Sequence, residues 1–202
     1  SANVSTEMHA ETPGSPGYMY VDRNVTFNKT GTGAGVNYIT YHLKNDTNAS
    51  TFATTFNLSK GWWIHKYNPT SGKWESLFLY PTVSNPVGTN FNLSTWDTVA
   101  VTGDENKTTR INISENVTAS QDFITTTTGR YYIGYSNLTS TTMANLTKIG
   151  LQTGDWVFKY DTVNGRWKSY WIGYVGDDVT ISGYDVIVIH VDAGTRIKIG
   201  WI

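Results

Sequence analysis

Apolar and polar residues alternate in short runs along most of the chain, which is the pattern of β-strands with one buried face. Two of the clearest runs are WWIHKY (62–67) and DWVFKY (155–160), each followed by a turn segment that ends in glycine. Alternate positions of these runs are aromatic or imidazole rings: Trp63, His65 and Tyr67 in the first, and Trp156, Phe158 and Tyr160 in the second. We interpret this shared face as a hydrophobic core in both runs. The first position differs, and Trp62 in place of Asp155 predicts either an exposed side chain or a contact specific to the first run.

These runs belong to a longer internal repeat. The segments GWWIHKYNPTSGKWESL (61–77) and GDWVFKYDTVNGRWKSY (154–170) are identical at seven of seventeen positions, among them Trp74 and Trp167. Three further pairs of segments match in the same order: GVNYITY (35–41) with GRYYIGY (129–135), WDTVAV (96–101) with YDVIVI (184–189), and TRINI (109–113) with TRIKI (195–199). The repeat predicts two tandem units: module one (35–113), a linker (114–128) and module two (129–202).

Each module is predicted to be a small antiparallel β-structure, sandwich-like or barrel-like, with at most one short helix. The segment TTMANLTKIG (141–150) predicts the helix of module two, because its apolar residues follow helical spacing and Thr141 or Thr142 can cap it. Its counterpart in module one is STFATTF (50–56). The predicted fold class is therefore all-β.

Residues 1–34 have no counterpart in the repeat and are predicted to form an N-terminal arm and strand. The first part, up to Gly17, is polar and rich in Gly and Pro, as in a flexible or extended segment. The following YMYVDRNVTF (18–27) alternates, and the face predicted to be buried carries Met19, Val21, Val25 and Phe27. The pattern leaves two possibilities open: this strand pairs within its own subunit, or it completes the sheet of a neighbouring subunit.

Composition removes several classes of function. Fifteen basic and 16 acidic residues give a net charge of −1, so the chain has no charge pattern for binding nucleic acid or an anionic membrane. No run of 18 apolar residues is present to span a bilayer. The chain has no cysteine, which excludes disulfides and thiolate metal sites, and we predict neither a metal nor a cofactor.

The sequence carries twelve Asn-x-Ser/Thr sequons, whereas random placement of its 17 Asn and 46 Ser and Thr residues gives about four. The sequons are at Asn3, Asn24, Asn28, Asn45, Asn48, Asn57, Asn92, Asn106, Asn112, Asn116, Asn137 and Asn145. A β-protein rich in Thr and Asn also produces sequons through composition alone. Because sequons accept N-linked glycans on exported proteins, however, the excess predicts an extracellular glycoprotein with these asparagines in solvent.

The end of the chain has the opposite character. Residues 148–202 contain no sequon, are rich in Trp and finish on the apolar KIGWI. Because a glycan blocks packing, we predict that this stretch contributes to an interface between subunits, with Trp201 and Ile202 as part of it.

No catalytic motif appears in the sequence: G-x-S-x-G, a phosphate loop and a zinc signature are all missing. Asp97 and Asp185 recur at aligned positions, and we interpret them as turn caps. His65 aligns with Phe158, and a position that accepts Phe is a poor candidate for a catalytic base. The sequence therefore predicts a protein that is not an enzyme, and no motif proposes the paired carboxylates of a glycosidase.

A glycine-initiated strand, a short helix, GDWVFKYDTVNGRWKSY and a strand ending in TRIKI follow one another in module two. This order resembles a repeat of secreted and surface-layer-associated proteins of archaea and some bacteria, which reads G-W-N…W-D…G-x-W. Both modules fit, although VNY and RYY replace the usual W-N. By composition, dense sequons without cysteine also resemble glycosylated subunits of archaeal extracellular filaments, such as threads and donor-strand pili. These resemblances imply an extracellular β-module without catalytic residues.

Together these features predict an N-glycosylated, extracellular structural subunit. Its predicted partners are copies of itself, in a cell-surface filament or array, and the N-terminal strand is the candidate for exchange between subunits. A secreted carbohydrate-binding or adhesin module is the alternative, since exposed aromatic rings also stack on sugars. A secreted glycoside hydrolase is the third reading.

Overall fold

The computed structural model describes residues 3–10, 18–29, 35–41, 46–94, 97–116, 120–135, 140–182 and 185–200. Within these ranges the chain is mostly β-strand with two short helices, which confirms the predicted all-β character. In chain order the elements are β1 (Asn3–Ala10), β2 (Tyr18–Phe27), β3 (Gly35–Thr40), β4 (Thr47–Asn48), α1 (Ala49–Thr55), β5 (Trp63–Asn68), β6 (Lys73–Thr82), β7 (Asn85–Gly88), β8 (Asn92–Leu93), β9 (Thr98–Gly103), β10 (Lys107–Asn116), β11 (Ser120–Ile124), β12 (Gly129–Tyr135), β13 (Thr141–Thr142), a 3-10 helix (Met143–Ile149), β14 (Trp156–Asp161), β15 (Arg166–Trp171), β16 (Thr180–Ile181), β17 (Asp185–Val191) and β18 (Arg196–Gly200).

Two antiparallel sheets form the body of the described chain. The N-terminal sheet has the strand order β3-β9-β5-β6-β7, and the C-terminal sheet has the order β12-β17-β14-β15. A two-stranded sheet accompanies each of them, β4 with β8 and β13 with β16, and a short helix follows β4 and β13. Strands at aligned sequence positions therefore pair in the same order in both halves. None of the sheets within the described ranges closes into a barrel.

The central hairpin of each sheet lies where the sequence repeat is strongest. β5 pairs with β6 and β14 pairs with β15, each across a tight turn. Gly72 and Gly165 lie in these turns with φ of +66° and +62°. Left-handed backbone favours glycine because glycine has no Cβ, which explains why both predicted turn segments end in this residue.

The strand predicted at 18–27 is present as β2, and it pairs within its own chain. β2 lies between β1 and β10 in a three-stranded antiparallel sheet, where Asn24 is opposite Ser5 on one side and Arg110 on the other. In the C-terminal half, β11 pairs with β18 in the corresponding place. The segment predicted to be a linker, 114–128, therefore holds the end of β10 and all of β11.

Each half has its own hydrophobic core. The core of the N-terminal half joins α1 to the N-terminal sheet and also takes in Val25 and Phe27 of β2. In the C-terminal half, the apolar residues of the 3-10 helix, Met143, Leu146 and Ile149, are buried against the C-terminal sheet. The helical spacing seen in the sequence is thus the spacing of the buried face.

Both predicted helices are present, but their ends are capped differently. Asn48 is the N-cap of α1, and its Oδ1 accepts a hydrogen bond from the backbone N–H of Thr51 at 2.9 Å. Thr142 occupies the N-cap position of the 3-10 helix without a side-chain cap bond. Gly150 ends that helix in the left-handed conformation, with φ of +106°.

The aromatic face of the central strands is not the core, so that prediction was wrong. Trp63 and Trp156 are 40% and 38% exposed, whereas Ile64 and Val157 on the opposite face are fully buried. The helices pack on the side of Ile64 and Val157, which makes that side the core. Alternation identifies residues that share a face, but it does not show which face a helix covers.

Candidate interaction surfaces

Tyr38 of β3 and Tyr132 of β12 form the centre of the contact between the two sheets. Their rings stack with centroids 6.0 Å apart and planes at 22°. Tyr38 also contacts Tyr160 and Trp167 of the C-terminal sheet, at centroid distances of 5.6 and 5.4 Å. Aromatic pairs at such distances contribute about 0.5–1.5 kcal/mol each beyond the area that they bury.

Tyr132 makes the equivalent contacts from the C-terminal sheet to the N-terminal sheet. Tyr132 contacts Tyr67 and Trp74 of the N-terminal sheet, both at 5.0 Å. Tyr67 and Trp74 align with Tyr160 and Trp167, so the sheets meet through equivalent surfaces, as the subunits of a two-fold symmetric dimer do. Trp74 and Trp167 reach the aromatic face from the neighbouring strands, with ring centroids 5.4 Å from Tyr67 and 5.2 Å from Tyr160, and this face serves as a contact between the sheets.

Burial at this contact affects the tyrosine hydroxyls. It raises the pKa of Tyr38, and the neighbouring hydroxyls of Tyr132 and Tyr160 raise it further. Burial likewise raises the pKa of Tyr132. Both rings are neutral at physiological pH, so the contact is a packing of neutral aromatic side chains.

Gly134 provides a close approach between the sheets. A Cβ built on it would lie 2.1 Å from Oγ1 and 2.2 Å from Cγ2 of Thr40. Thr40 is 3% exposed, and its hydroxyl has no hydrogen-bond partner in the described part of the chain. A side chain at position 134 would therefore hold β3 and β12 apart, which is why this strand position is a glycine.

Beyond this contact, the aromatic face of the N-terminal sheet is half exposed. Trp63 stacks on Phe78 with centroids 4.2 Å apart and planes at 14°, and Phe78 stacks on Tyr80 at 5.6 Å. The ammonium group of Lys60 lies 4.9 Å from the centroid of Tyr80. Each ring thus covers part of the face of its neighbour.

The C-terminal sheet has a similar row of rings. Trp156 stacks on Trp171 at 5.4 Å with planes at 3°, and Trp171 stacks on Tyr174 at 4.0 Å. The guanidinium of Arg130 lies 5.7 Å from the centroid of Phe158. Because neighbouring rings and cations cover these faces, the rows present mostly ring edges, and they offer little of the flat surface on which a sugar stacks.

Two of the residues predicted to form a subunit interface, Val25 and Phe27, lie in the core of their own chain. Both are fully buried, and the ring of Phe27 meets Phe56 and Trp62 edge-on at 6.0 Å. Trp62 is 1% exposed and lies against Gly103, where an added Cβ would be 2.4 Å from the indole ring. The predicted contact specific to the first run is confirmed, and its effect is to anchor β2.

The other predicted interface residues have no described side chains. Met19 and Val21 belong to β2, where they pair with Glu115 and Ile113 of β10. Trp201 and Ile202 lie outside the described residues. Contact of these four residues with a second subunit stays a prediction.

Seven of the predicted glycosylation sites have described side chains, and none of these seven is buried. The exposed ones are Asn24, Asn57, Asn92, Asn106 and Asn145, and the half-buried ones are Asn28 and Asn48. The remaining sites, Asn3, Asn45, Asn112, Asn116 and Asn137, lie outside the described side chains. Solvent access at the seven positions is compatible with glycans, whose presence stays a prediction.

Asp97 and Asp185 form equivalent ion pairs on the core side of the two sheets. Asp97 is 2.6 Å from Lys66, and Asp185 is 2.5 Å from Lys159. Each aspartate also accepts the backbone N–H three residues earlier at 2.8 Å, and each lysine also donates to a backbone carbonyl. The interpretation of both aspartates as turn caps is confirmed, and the recurrence in both halves has this structural reason.

Both ring nitrogens of His65 have hydrogen-bond partners within the N-terminal sheet. Its Nδ1 is 2.7 Å from Oγ of Ser76 and its Nε2 is 3.4 Å from Oγ1 of Thr102. The ring stacks on Trp63 at 5.8 Å, and burial lowers the pKa of His65. This is the environment of a packed histidine with hydrogen-bond partners.

Among the described residues there is no group of three or more His, Cys, Asp or Glu side chains that could hold a metal ion. The two described helices have seven residues each and are too short to cross a bilayer. Comparison with family models, with curated proteins and with solved structures finds no match.

Proposed function

We propose that this chain is an N-glycosylated structural subunit, exported to the cell surface, that assembles with copies of itself into a filament or array. In this proposal the two halves are tandem homologous modules and the chain catalyses no reaction. The sequon excess and the solvent-accessible asparagines support glycosylation. The shared strand order and the aligned segments support duplication.

The observation that carries the assembly proposal is the way in which β1 is held. β1 pairs with β2 through eight residue pairs, and its other edge has no partner strand among the described residues. β2 has ten pairs with β10 and buries Val25 and Phe27. Because β1 is the less firmly held strand, we place the exchanged segment at β1 and its receiving edge on β2.

Exchange of β1 explains how one chain type can form a polymer. Pairing with β2 of a neighbour remakes the same ladder of main-chain hydrogen bonds that β1 forms within its own chain. Each subunit then gives one strand and receives one. Such a head-to-tail contact joins two different surfaces and does not close on itself, so it extends into a fibre or array.

An engineered disulfide tests this exchange, because the chain has no cysteine of its own. Thr6 and Arg23 are direct partners across β1 and β2. We expect a chain with Thr6→Cys and Arg23→Cys, oxidised after assembly, to give a series of covalent multimers on a non-reducing gel. A cross-linked monomer obtained from intact polymer would rule out the exchange.

A matched control uses a pair of strands that is not exchanged. Arg130 and His190 are direct partners across β12 and β17 of the C-terminal sheet. The pair Arg130→Cys and His190→Cys is expected to give only cross-linked monomer from the same polymer. Multimers from this control would show that oxidation joins subunits indiscriminately.

The glycosylation part of the proposal has its own test. The mass computed from the sequence is 22.5 kDa. We expect the protein purified from its native source to be heavier and to return to this mass after chemical deglycosylation. An intact mass near 22.5 kDa before treatment would contradict the proposal.

A further inference from the structure

A polar cleft of about 520 Å³ opens at one end of the C-terminal sheet. It lies between the turn that leads into β14 and the loop that joins β17 to β18. The side chains that characterise it are Gln152, Asp155, Trp156, His190 and Asp192. All of them belong to the stretch after residue 147, which carries no sequon.

The N-terminal half has different side chains at the place that corresponds to this cleft. There the indole of Trp62 lies against Gly103 and is 1% exposed. In the C-terminal half Asp155 stands at the position of Trp62, and Val191 stands at that of Gly103. The strand registers place these residues side by side in both halves, since Trp63 pairs with the residue before Gly103 and Trp156 with the residue before Val191. The pair Trp62 and Gly103 is thus replaced by Asp155 and Val191, and both replacements line the cleft.

Several hydrogen-bonding groups in the cleft are unused by the protein. Asp155 Oδ2 accepts the backbone N–H of Gln152 at 2.7 Å, which fixes the carboxylate. Its Oδ1 and the side chains of Gln152 and His190 make no hydrogen bond within the described chain. Together they offer a carboxylate, an amide and an imidazole to one small space.

The rim of the cleft is held in place. Trp171 Nε1 donates to the carbonyl oxygen of Gly154 at 2.9 Å, and Gly154 N–H donates to the carbonyl of Ile172 at 3.0 Å. Ile172 in turn donates to the carbonyl of Asp155 at 2.9 Å. These bonds fix the backbone at residues 154 and 155, so the carboxylate of Asp155 is positioned before a ligand binds, which lowers the entropy cost of binding to that group.

We propose that this cleft binds a neutral sugar. Sugar hydroxyls both donate and accept hydrogen bonds, so they match the unused acceptors and donors of Asp155, Gln152 and His190. The lining contains two aspartates and neither Lys nor Arg, which disfavours an acidic sugar or a phosphate. The volume lies in the range of small-molecule sites, about 300–1,000 Å³.

The proposal does not rest on assembly, because the cleft is formed within one chain. Its direct test is an NMR titration of ¹⁵N-labelled, unglycosylated protein with methyl α-glucoside, methyl α-mannoside, maltose and N,N′-diacetylchitobiose, up to about 20 mM. We expect saturable shifts of the amides of residues 152–156 and 190–195 with at least one of these probes. The proposal is overturned if no probe shifts them, if glucuronate shifts them at lower concentration than glucoside, or if they respond to calcium chloride alone.

Two variants connect binding to named groups. Asp155→Asn keeps an acceptor for the N–H of Gln152 but loses the charge, and we expect about tenfold weaker binding, the effect of one charge-assisted hydrogen bond. His190→Ala is expected to weaken binding by a similar factor. The control is Asp104→Asn, which removes a carboxylate from the aligned loop of the N-terminal half and is expected to leave affinity unchanged. Equal affinity in wild type and Asp155→Asn would contradict the assignment.

The sugar has two sources, a free saccharide or the glycan of another copy of this chain, and a second titration separates them. Here the natively glycosylated, unlabelled protein replaces the free sugars. Shifts of the same amides identify the glycan of a second copy as a ligand, and their loss after deglycosylation of the titrant confirms it. Shifts with free sugars alone assign the cleft to an external saccharide. This second arm rests on the proposed glycosylation, whereas the first does not, so their failures are distinguishable.

Discussion

Replacing Gly134 by alanine is expected to weaken the contact between the two sheets. The new Cβ would lie 2.1 Å from Thr40 Oγ1 and 2.2 Å from Thr40 Cγ2, where an ordinary contact needs about 3.5 Å or more. Thr40 cannot rotate away, because a β-branched side chain brings one γ atom forward as the other leaves. β3 and β12 must therefore separate, which also loosens the stacking of Tyr38 on Tyr132.

The expected magnitude is about 2–3 kcal/mol of lost unfolding free energy, the upper part of the range for an overpacked interior. Thr40→Ala alone should be nearly neutral, because the lost methyl group is offset by removal of a buried hydroxyl without a partner. In the Thr40→Ala background, Gly134→Ala should cost about 1 kcal/mol, since only the contact with Cβ, at 2.7 Å, remains. The expected coupling between the two sites is thus about 1–2 kcal/mol.

Urea unfolding followed by tryptophan fluorescence measures these differences. The matched control is Gly129→Ala on the same strand, where an added Cβ meets no atom within 4 Å and where we expect a change below about 0.5 kcal/mol. If Gly134→Ala matches Gly129→Ala, or costs the same with and without Thr40, then the two sheets do not meet as described.

Three other side chains, His65, Trp62 and Asp185, have expected effects on stability. Burial lowers the pKa of His65, so the unfolded chain takes up the proton first, and stability is lost as the pH falls below the unfolded value of about 6.5. His65→Phe should therefore reduce the dependence of the urea midpoint on pH over this window. The same pH dependence in wild type and variant would contradict the assignment. Trp62→Ala should cost about 3–5 kcal/mol and speed hydrogen exchange in β2; a loss below 1 kcal/mol would mean that the indole does not anchor this strand. Asp185→Asn should lower the melting temperature more than Asp97→Asn, because the Asp185 side chain is 9% exposed and that of Asp97 is 27% exposed; the reverse order would refute the argument from burial.

The local elements of this fold are readable from the sequence, because they depend on neighbouring residues. Alternation predicted β2 and the central strands, the glycines predicted the hairpin turns, and helical spacing predicted both helices. The recurrence of Asp97 and Asp185 predicted turn caps, which the structure confirms. In each case the deciding interaction spans only a few positions of the chain.

Features that depend on distant parts of the chain could not be predicted in this way. Both faces of β5 carry apolar residues, Trp63 on one and Ile64 on the other, and the position of α1 decides which one is the core. The sequence predicts a linker where β11 lies, because SQDFI has three polar residues in a row and only its pairing with β18 makes it a strand. The polar cleft could not be predicted either, because two segments that are distant in the chain, 152–156 and 190–195, line it.

Dissolved salt is expected to screen the attraction within the Lys–Asp pairs of the two sheets only weakly. Ions screen charges separated by more than the Debye length, about 8 Å at physiological ionic strength and about 3 Å at 1 M. The pairs Lys66–Asp97 and Lys159–Asp185 are in direct contact, partly shielded from solvent and surrounded by backbone groups. A net charge of −1 also leaves little overall repulsion for counterions to relieve. We therefore expect dissolved salt to weaken these two ion pairs less than it weakens ion pairs that are fully exposed to solvent.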